Sequence, residues 1–310
     1  MSEKKNYYVL AFYHIGKIED PQNEVKNHKN FLKDLDCSAR IYISEDGING
    51  QMSAEESDAK LYIDWMSLDP RFKDMPFKIH HHHENVFPKV CVKYRRQLVA
   101  IDTLIDYGKR GKYLNPKEWR EVLDSDDDYL LLDVRNDYEW ELGHFEGAVK
   151  PEMSTFRDFT EYAKELKQQH KPEKKLLMYC TGGIRCELFS SLLKENGFEN
   201  IFQLKGGVID YGLKEGCKHW QGKLFVFDDR LSVDIAPEEK ARVIGKCRHC
   251  KEKCETYLNC ANVECNALFI CCSNCLGKHL GSCSDECQNA PRKRSIQREN
   301  PYKPFRKWRT

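Results

Sequence analysis

A chain of 310 residues is longer than one hydrophobic core usually spans, so two or three domains are expected. Lys and Arg total 50 against 49 Asp and Glu, with 32% charged and 40% hydrophobic residues; this balance excludes a disordered chain and leaves global charge silent about partners. No apolar run approaches bilayer length and Met1-Ser-Glu-Lys-Lys-Asn6 is not followed by a signal-peptide core, so neither membrane insertion nor secretion is expected, and the cytoplasm is the predicted location.

Tyr7-Tyr-Val-Leu-Ala-Phe-Tyr13 reads as a strand, and Val25, His28, Phe31, Leu32 and Leu35 recur at helical spacing after Pro21. Ala39–Ile43 and Gly50–Ser53 read as short strands around the turn-rich Glu45-Asp-Gly-Ile-Asn49, and Ala59, Ile63 and Met66 mark a second amphipathic helix. Phe77–His80 and Lys89–Val92 complete the set of strands, and the order β-α-β-β-α-β within it predicts a ferredoxin-like (acylphosphatase-like) α+β domain over residues 1–95. The run His80-His-His-His83 before Glu84 is expected at a partly exposed strand end, where alternating side chains prevent all four rings from converging.

Residues 96–125 read as a linker with Gly108 and Gly111 and a helix from Pro116 to Leu123. The acidic run Asp124-Ser-Asp-Asp-Asp128 marks a boundary. Beyond it, Tyr129–Asp133, Lys175–Tyr179 and Ile201–Leu204 read as buried strands, with helices expected over Phe156–Lys167 and Glu187–Asn196. That alternation predicts a parallel α/β sheet domain over residues 126–220, with its ligand site at the carboxyl ends of the strands.

After a connector, 221–245, ten of the fifteen cysteines fall between Cys247 and Cys287. In a chain without a secretion signal, such clustering points to metal rather than disulfides. Cys247 with Cys250, Cys260 with Cys265, Cys272 with Cys275, and Cys283 with Cys287 have ligand spacing, enough for two structural zinc ions in four-thiolate sites over residues 246–290. Cys254 and Cys271 are left over, either could replace an assigned ligand, and His279 is a further candidate; the pairing stays open. Residues 291–310 form a basic tail: eight Lys or Arg residues lie between Ala290 and Thr310 against the single acid Glu299. Arg292, Lys293, Arg294 and Arg298, interleaved further on with Tyr302, Phe305 and Trp308, are candidate RNA contacts.

The sharpest chemical signal is Cys180-Thr-Gly-Gly-Ile-Arg185, placed after a strand and before a helix. Gly182 and Gly183 allow successive N–H groups, with those of Thr181 and Ile184, to turn inward and form an anion nest. The helix amino end and the Arg185 cation are expected to acidify Cys180 to a thiolate able to attack an electrophile or carry a persulfide sulfur. No flavin, haem or nicotinamide motif is recognisable.

This loop, together with Leu132-Asp-Val-Arg135, Glu139, Gly143-His-Phe-Glu-Gly-Ala148, Gly197-Phe-Glu-Asn-Ile201 and Leu204-Lys-Gly-Gly207, resembles the rhodanese family. The resemblance implies a persulfide-forming Cys180, with Asp133 and Arg135 as a supporting pair. Four residues separate Cys180 from Arg185, which resembles the sulfur-handling branch rather than the phosphatases with five. The order ferredoxin-like domain, rhodanese domain, cysteine-rich tail, with Ile43-Ser-Glu-Asp-Gly-Ile-Asn49, Cys247-Arg-His-Cys250, Asn259-Cys-Ala-Asn-Val-Glu-Cys265 and Ser282-Cys-Ser-Asp-Glu-Cys287, resembles the bacterial tRNA uridine hydroxylase family over nearly the whole chain. That resemblance implies tRNA as partner, molecular oxygen as co-substrate and 5-hydroxyuridine at the wobble position as product, with no obligate protein partner. Two other readings share these residues: a thiosulfate or persulfide sulfurtransferase, and a zinc-stabilised RNA-binding module with an idle rhodanese domain.

Overall fold

The computed structural model describes residues 6–99, 106–152, 158–236, 238–296, 302 and 304. Its packing divides the chain into two compact units: residues 1–110 with 153–169 and 187–196, and residues 111–152 with 170–186 and 197–310.

The first unit opens with β1 (Tyr7–Ile15), α1 (Pro21–Leu32), β2 (Cys37–Ser44), β3 (Gly47–Glu55), α2 (Glu56–Ser67), β4 (Lys78–His82) and β5 (Val90–Tyr94). The sheet order is β4-β1-β3-β2-β5, the expected ferredoxin-like arrangement with β5 added parallel to β2. Period-two alternation sends Leu10, Phe12, Ile41, Ile43 and Met52 to one face, where Val25 and Leu32 of α1 and Ala59, Tyr62 and Met66 of α2 cover them. Each such burial contributes about 2 kcal/mol. Helix α1 starts where Pro21 occupies the first turn and Asp20 accepts from the Asn23 N–H at 2.9 Å.

The β2–β3 connection is tighter than expected: Ser44 pairs with Gly47, leaving only Glu45-Asp46 as the turn. Ile48 is fully buried, and its place in the core draws residues 47–49 into β3. In the histidine run, the His82 and His83 rings lie 4.3 Å apart and approach Glu84 at the surface, so two of the four converge.

The chain continues as β6 (Lys112–Leu114), α3 (Pro116–Leu123), β7 (Tyr129–Asp133), α4 (Asp137–Leu142), β8 (Gly143–Phe145), α5 (Phe159–Gln169), β9 (Lys175–Tyr179), α6 (Ile184–Glu195), β10 (Ile201–Leu204), α7 (Gly207–Glu215) and β11 (Trp220–Gly222). The four-stranded sheet β6-β10-β9-β7 of the second unit is parallel throughout, as the alternation predicts. Its edge strand β6 lies in the stretch read as linker; three residues before a capped helix carry too little periodicity to announce it. The helix after it is well signalled: Pro116 starts α3, Asn115 and Glu118 form a capping box, and Trp119 is fully buried. Helix α6 begins at Ile184, three residues before its predicted start, and α5 at Phe159; Phe156 lies outside the described residues. The first unit takes α5 and most of α6, where Phe159 stacks on Phe189 at 3.8 Å and Glu187 accepts from the Tyr13 hydroxyl at 2.8 Å.

In the carboxyl-terminal part, β12 (Leu224–Phe225) pairs with β13 (Ser232–Val233) and β14 (Tyr257–Asn259) with β15 (Leu268–Ile270), followed by α8 (Ser273–Lys278) and α9 (Asp285–Gln288). Tyr257, Leu258, Phe269 and Ile270 build a small core with the cysteines around them. Among the described residues, no helix is long and apolar enough to cross a membrane.

Candidate active site and metal centres

Strand β9 ends at Tyr179, and Cys180 follows it, fully buried. The loop turns back at Gly183, with φ +106°, so that its N–H donates to Cys180 Sγ at 3.1 Å. Burial pushes the Cys180 thiol up, but hydrogen bonds from the Cys186 side chain, the Arg185 charge and the N–H groups of Cys186 and Gly183 outweigh it and bring the pKa down to about 5. A thiol lowered in this way favours its charged form at neutral pH.

The loop is held from outside by α7. Val208 N–H donates to Cys180 O at 3.0 Å and Ile209 N–H to Thr181 O at 3.1 Å. Gly207 must come this close: its φ is +67°, and a Cβ there would sit 2.5 Å from Cys180 O and 2.6 Å from Thr181 O. Gly182 and Ile184 remain partly exposed while Thr181 and Arg185 are buried.

Arg185 is not a loose cation waiting for an anion. It makes a two-point pair with Glu139 of α4, Nη1 to Oε2 at 2.6 Å and Nη2 to Oε1 at 2.8 Å, and the Thr181 hydroxyl donates to Glu139 Oε1 at 2.5 Å. Burial alone would raise the Glu139 carboxyl; the Arg185 charge and hydrogen bonds, with Arg135 nearby, hold it at about 2. Glu139 is thus a site residue that the sequence showed only as part of a signature. Its sole signal was its spacing after Arg135.

A second buried pair supports the loop. Arg135 donates to both oxygens of Asp133, at 2.8 and 2.5 Å, and to the Gly143 carbonyl at 2.6 Å. The Tyr179 hydroxyl donates to Asp133 Oδ2 at 2.7 Å and accepts from the Phe145 N–H at 3.2 Å, tying β7, β8 and β9 together just before Cys180.

The cysteine pairing left open by spacing is interleaved. Cys247, Cys250, Cys272 and Cys275 form one group, and Cys260, Cys265, Cys283 and Cys287 the other, with all sulfurs in each within 4.8 Å. Sulfur separations of 3.7 Å for Cys250–Cys272 and for Cys265–Cys283 match the edge of a zinc-centred tetrahedron, about 3.8 Å for bonds of about 2.3 Å. N–H groups of Cys272 and Cys283 point at the sulfurs of Cys247 and Cys260, at 3.5 and 3.4 Å, as thiolate ligands require. The residues fit zinc; closed by four thiolates, each site would supply folding stability and no open position for chemistry. Cys254 and Cys271 belong to neither group and are buried in the small core. His279 stacks on His249 at 3.7 Å instead of joining a cluster.

Of the basic residues expected to meet RNA, Arg292 lies 3.7 Å from Glu264, Lys293 donates to the Gln288 carbonyl, and Arg294 donates to Asn266 Oδ1 at 2.5 Å and to the Cys260 carbonyl. Arg294 thus braces the second cysteine group. Arg298, like Phe305 and Trp308, lies outside the described residues.

Three family models match in succession: a UPF0176 acylphosphatase like domain over residues 7–98, a rhodanese-like domain over 115–213 and a rhodanase C-terminal domain over 221–288. Among curated proteins, the chain is 55% identical to the tRNA uridine(34) hydroxylase of Protochlamydia amoebophila, over 99% of this chain and 96% of that one. It is 53% identical to the protein of the same name from Chlamydia felis, over 98% and 94%, and 51% identical to that of Chlamydia trachomatis serovar D, over 98% and 93%. A likeness of this depth across all three regions shows that the chain belongs to the tRNA uridine(34) hydroxylase family.

Proposed function

We propose that this enzyme hydroxylates uridine 34 of tRNA to 5-hydroxyuridine in the cytoplasm, with molecular oxygen as co-substrate and Cys180 as the reacting group. The observation that carries the reading is 55% identity along 99% of the chain with a protein named for that activity, in a chain whose Cys180 loop is intact and preorganised. A thiolate with a pKa of about 5 is charged at neutral pH and ready to attack an electrophilic centre or to hold a terminal sulfur as a persulfide. Thr181, Gly182, Gly183 and Ile184 shape the loop around it. Arg185 acts from its pair with Glu139, keeping positive charge beside Cys180, while Asp133 and Arg135 fix the strand ends. Two zinc ions in the four-cysteine groups stabilise the carboxyl-terminal part.

The test is a purified-protein reaction with an unmodified tRNA transcript under isotopically heavy oxygen gas. A heavy oxygen atom in 5-hydroxyuridine, absent with Cys180→Ala, supports the reading. Product carrying only the light isotope would overturn molecular oxygen as co-substrate, and absence of product with every reductant supplied would overturn the activity.

A further inference from the structure

A groove of about 820 Å³ lies in the second unit, lined by none of the Cys180 loop residues, between α4 and β8 on one side and the Cys247–Cys250 turn on the other. Its volume is at the upper end of the range for small-ligand sites, about 300–1,000 Å³. Its walls carry two kinds of chemistry.

On one wall, Trp140 of α4 and His144 of β8, four positions apart, stack face to face with ring centres 3.8 Å apart and planes 6° from parallel. His144 Nδ1 lies 3.0 Å from the Trp140 carbonyl oxygen, which fixes the imidazole in the stack. Burial moves the His144 pKa down, which favours the neutral ring as an aromatic plane. Both residues are only half-buried.

On the other wall stand Lys246, Arg248 and Lys251, all exposed, around the first metal ligands. Their backbone is fixed by the Lys251 N–H donating to Cys247 O at 3.0 Å and the Arg248 N–H to Ile270 O at 2.9 Å. Against these three cations the groove sets Glu141 and Asp137, and Asp137 already pairs with Lys150. The remaining charge is positive.

A flat aromatic stack beside several cations is the combination that binds unpaired nucleotides, because bases continue the stack while phosphates meet the ammonium and guanidinium groups. We infer that this groove binds an unpaired stretch of the tRNA substrate, with a base stacked on the Trp140–His144 pair and phosphates against Lys246, Arg248 and Lys251. The inference rests on tRNA being the substrate. It places a nucleotide-binding surface beside the first cysteine group, apart from the basic tail.

The experiment measures binding of an unmodified tRNA transcript by full-length, zinc-loaded protein across a salt series, with zinc content and melting temperature recorded for each variant. The triple substitution Lys246→Ala, Arg248→Ala, Lys251→Ala should weaken binding by roughly tenfold or more at moderate salt and lower the salt slope by about 2, as expected for three lost phosphate contacts on a single strand. Trp140→Ala should weaken binding roughly 5- to 100-fold at unchanged slope, with Trp140→Phe recovering most of it. Should the triple variant lose zinc, Lys246→Gln with Lys251→Gln leaves Arg248 between the ligands and should still lower the slope by about 1. Unchanged affinity and slope in a zinc-replete charge variant overturn the inference, as does full affinity in Trp140→Ala. If wild type hydroxylates tRNA with the same KM as these variants, the groove alone is refuted; if wild type neither binds nor modifies tRNA, the functional reading falls first.

Discussion

Arg185 and Glu139 form a buried two-point ion pair, 46 positions apart in the chain, directly behind the Cys180 loop. The loop arginine is therefore tethered before any substrate arrives, and the loop's shape depends on a carboxylate from α4.

Glu139→Gln removes that carboxylate and leaves the Arg185 charge buried without compensation. The expected loss is about 3 kcal/mol of stability, measured by urea denaturation, with a parallel fall in hydroxylation. Because the Glu139 pKa is depressed in the fold, to about 2, its contribution is fully present above the ordinary carboxylate value and disappears as pH falls towards 2. Wild type and Glu139→Gln should therefore converge in stability at acid pH; a gap that stays constant would contradict the pair's role.

The Cys180 pKa, lowered to about 5, predicts that the Cys180-dependent part of thiol alkylation follows a titration with its midpoint near pH 5. A thiol whose pKa is lower folded than unfolded adds stability that is complete above the unfolded value and is lost as pH falls through about 5. The stability advantage of wild type over Cys180→Ala should therefore grow with pH between about 5 and 9. A midpoint at the ordinary thiol value would refute the acidified loop.

Gly207→Ala places a methyl 2.5 Å from Cys180 O at a residue whose φ is +67°. Strain of about 1–3 kcal/mol is expected, together with loss of activity exceeding the loss of stability, because the displaced atoms belong to the loop. Comparing melting temperature with turnover of a tRNA transcript checks this.

The interleaved cysteine groups predict metal stoichiometry. Wild type should hold two zinc ions by native mass spectrometry; Cys250→Ser should lose the first and Cys265→Ser the second, while Cys254→Ala and Cys271→Ala retain both. Chelation should unfold the β14–β15 region. Retention of both ions in Cys250→Ser would refute the grouping.

These contrasts also show what a sequence makes legible. The Cys180 loop could be read because its glycines, its arginine and the strand before it are contiguous, and α3 because its capping box and Pro116 are local signals. The Arg185–Glu139 pair could not, because nothing in either segment specifies a partner 46 residues away. Spacing gave the cysteine pairs but not how they combine: antiparallel pairing of β14 with β15 brings Cys272 to Cys250 and threads the two groups through each other. Strand β6 was hidden because an edge strand of three residues needs little hydrophobic pattern of its own.

The most direct test of the central claim is mass spectrometry of tRNA nucleosides from cells lacking this gene and any parallel hydroxylation pathway, complemented with wild type or Cys180→Ala. The account predicts that 5-hydroxyuridine and nucleosides derived from it vanish on deletion and return with wild type but not with Cys180→Ala. Unchanged wobble nucleosides on deletion, or full rescue by Cys180→Ala, would contradict it; the first result would leave sulfur transfer as the chemistry of the loop.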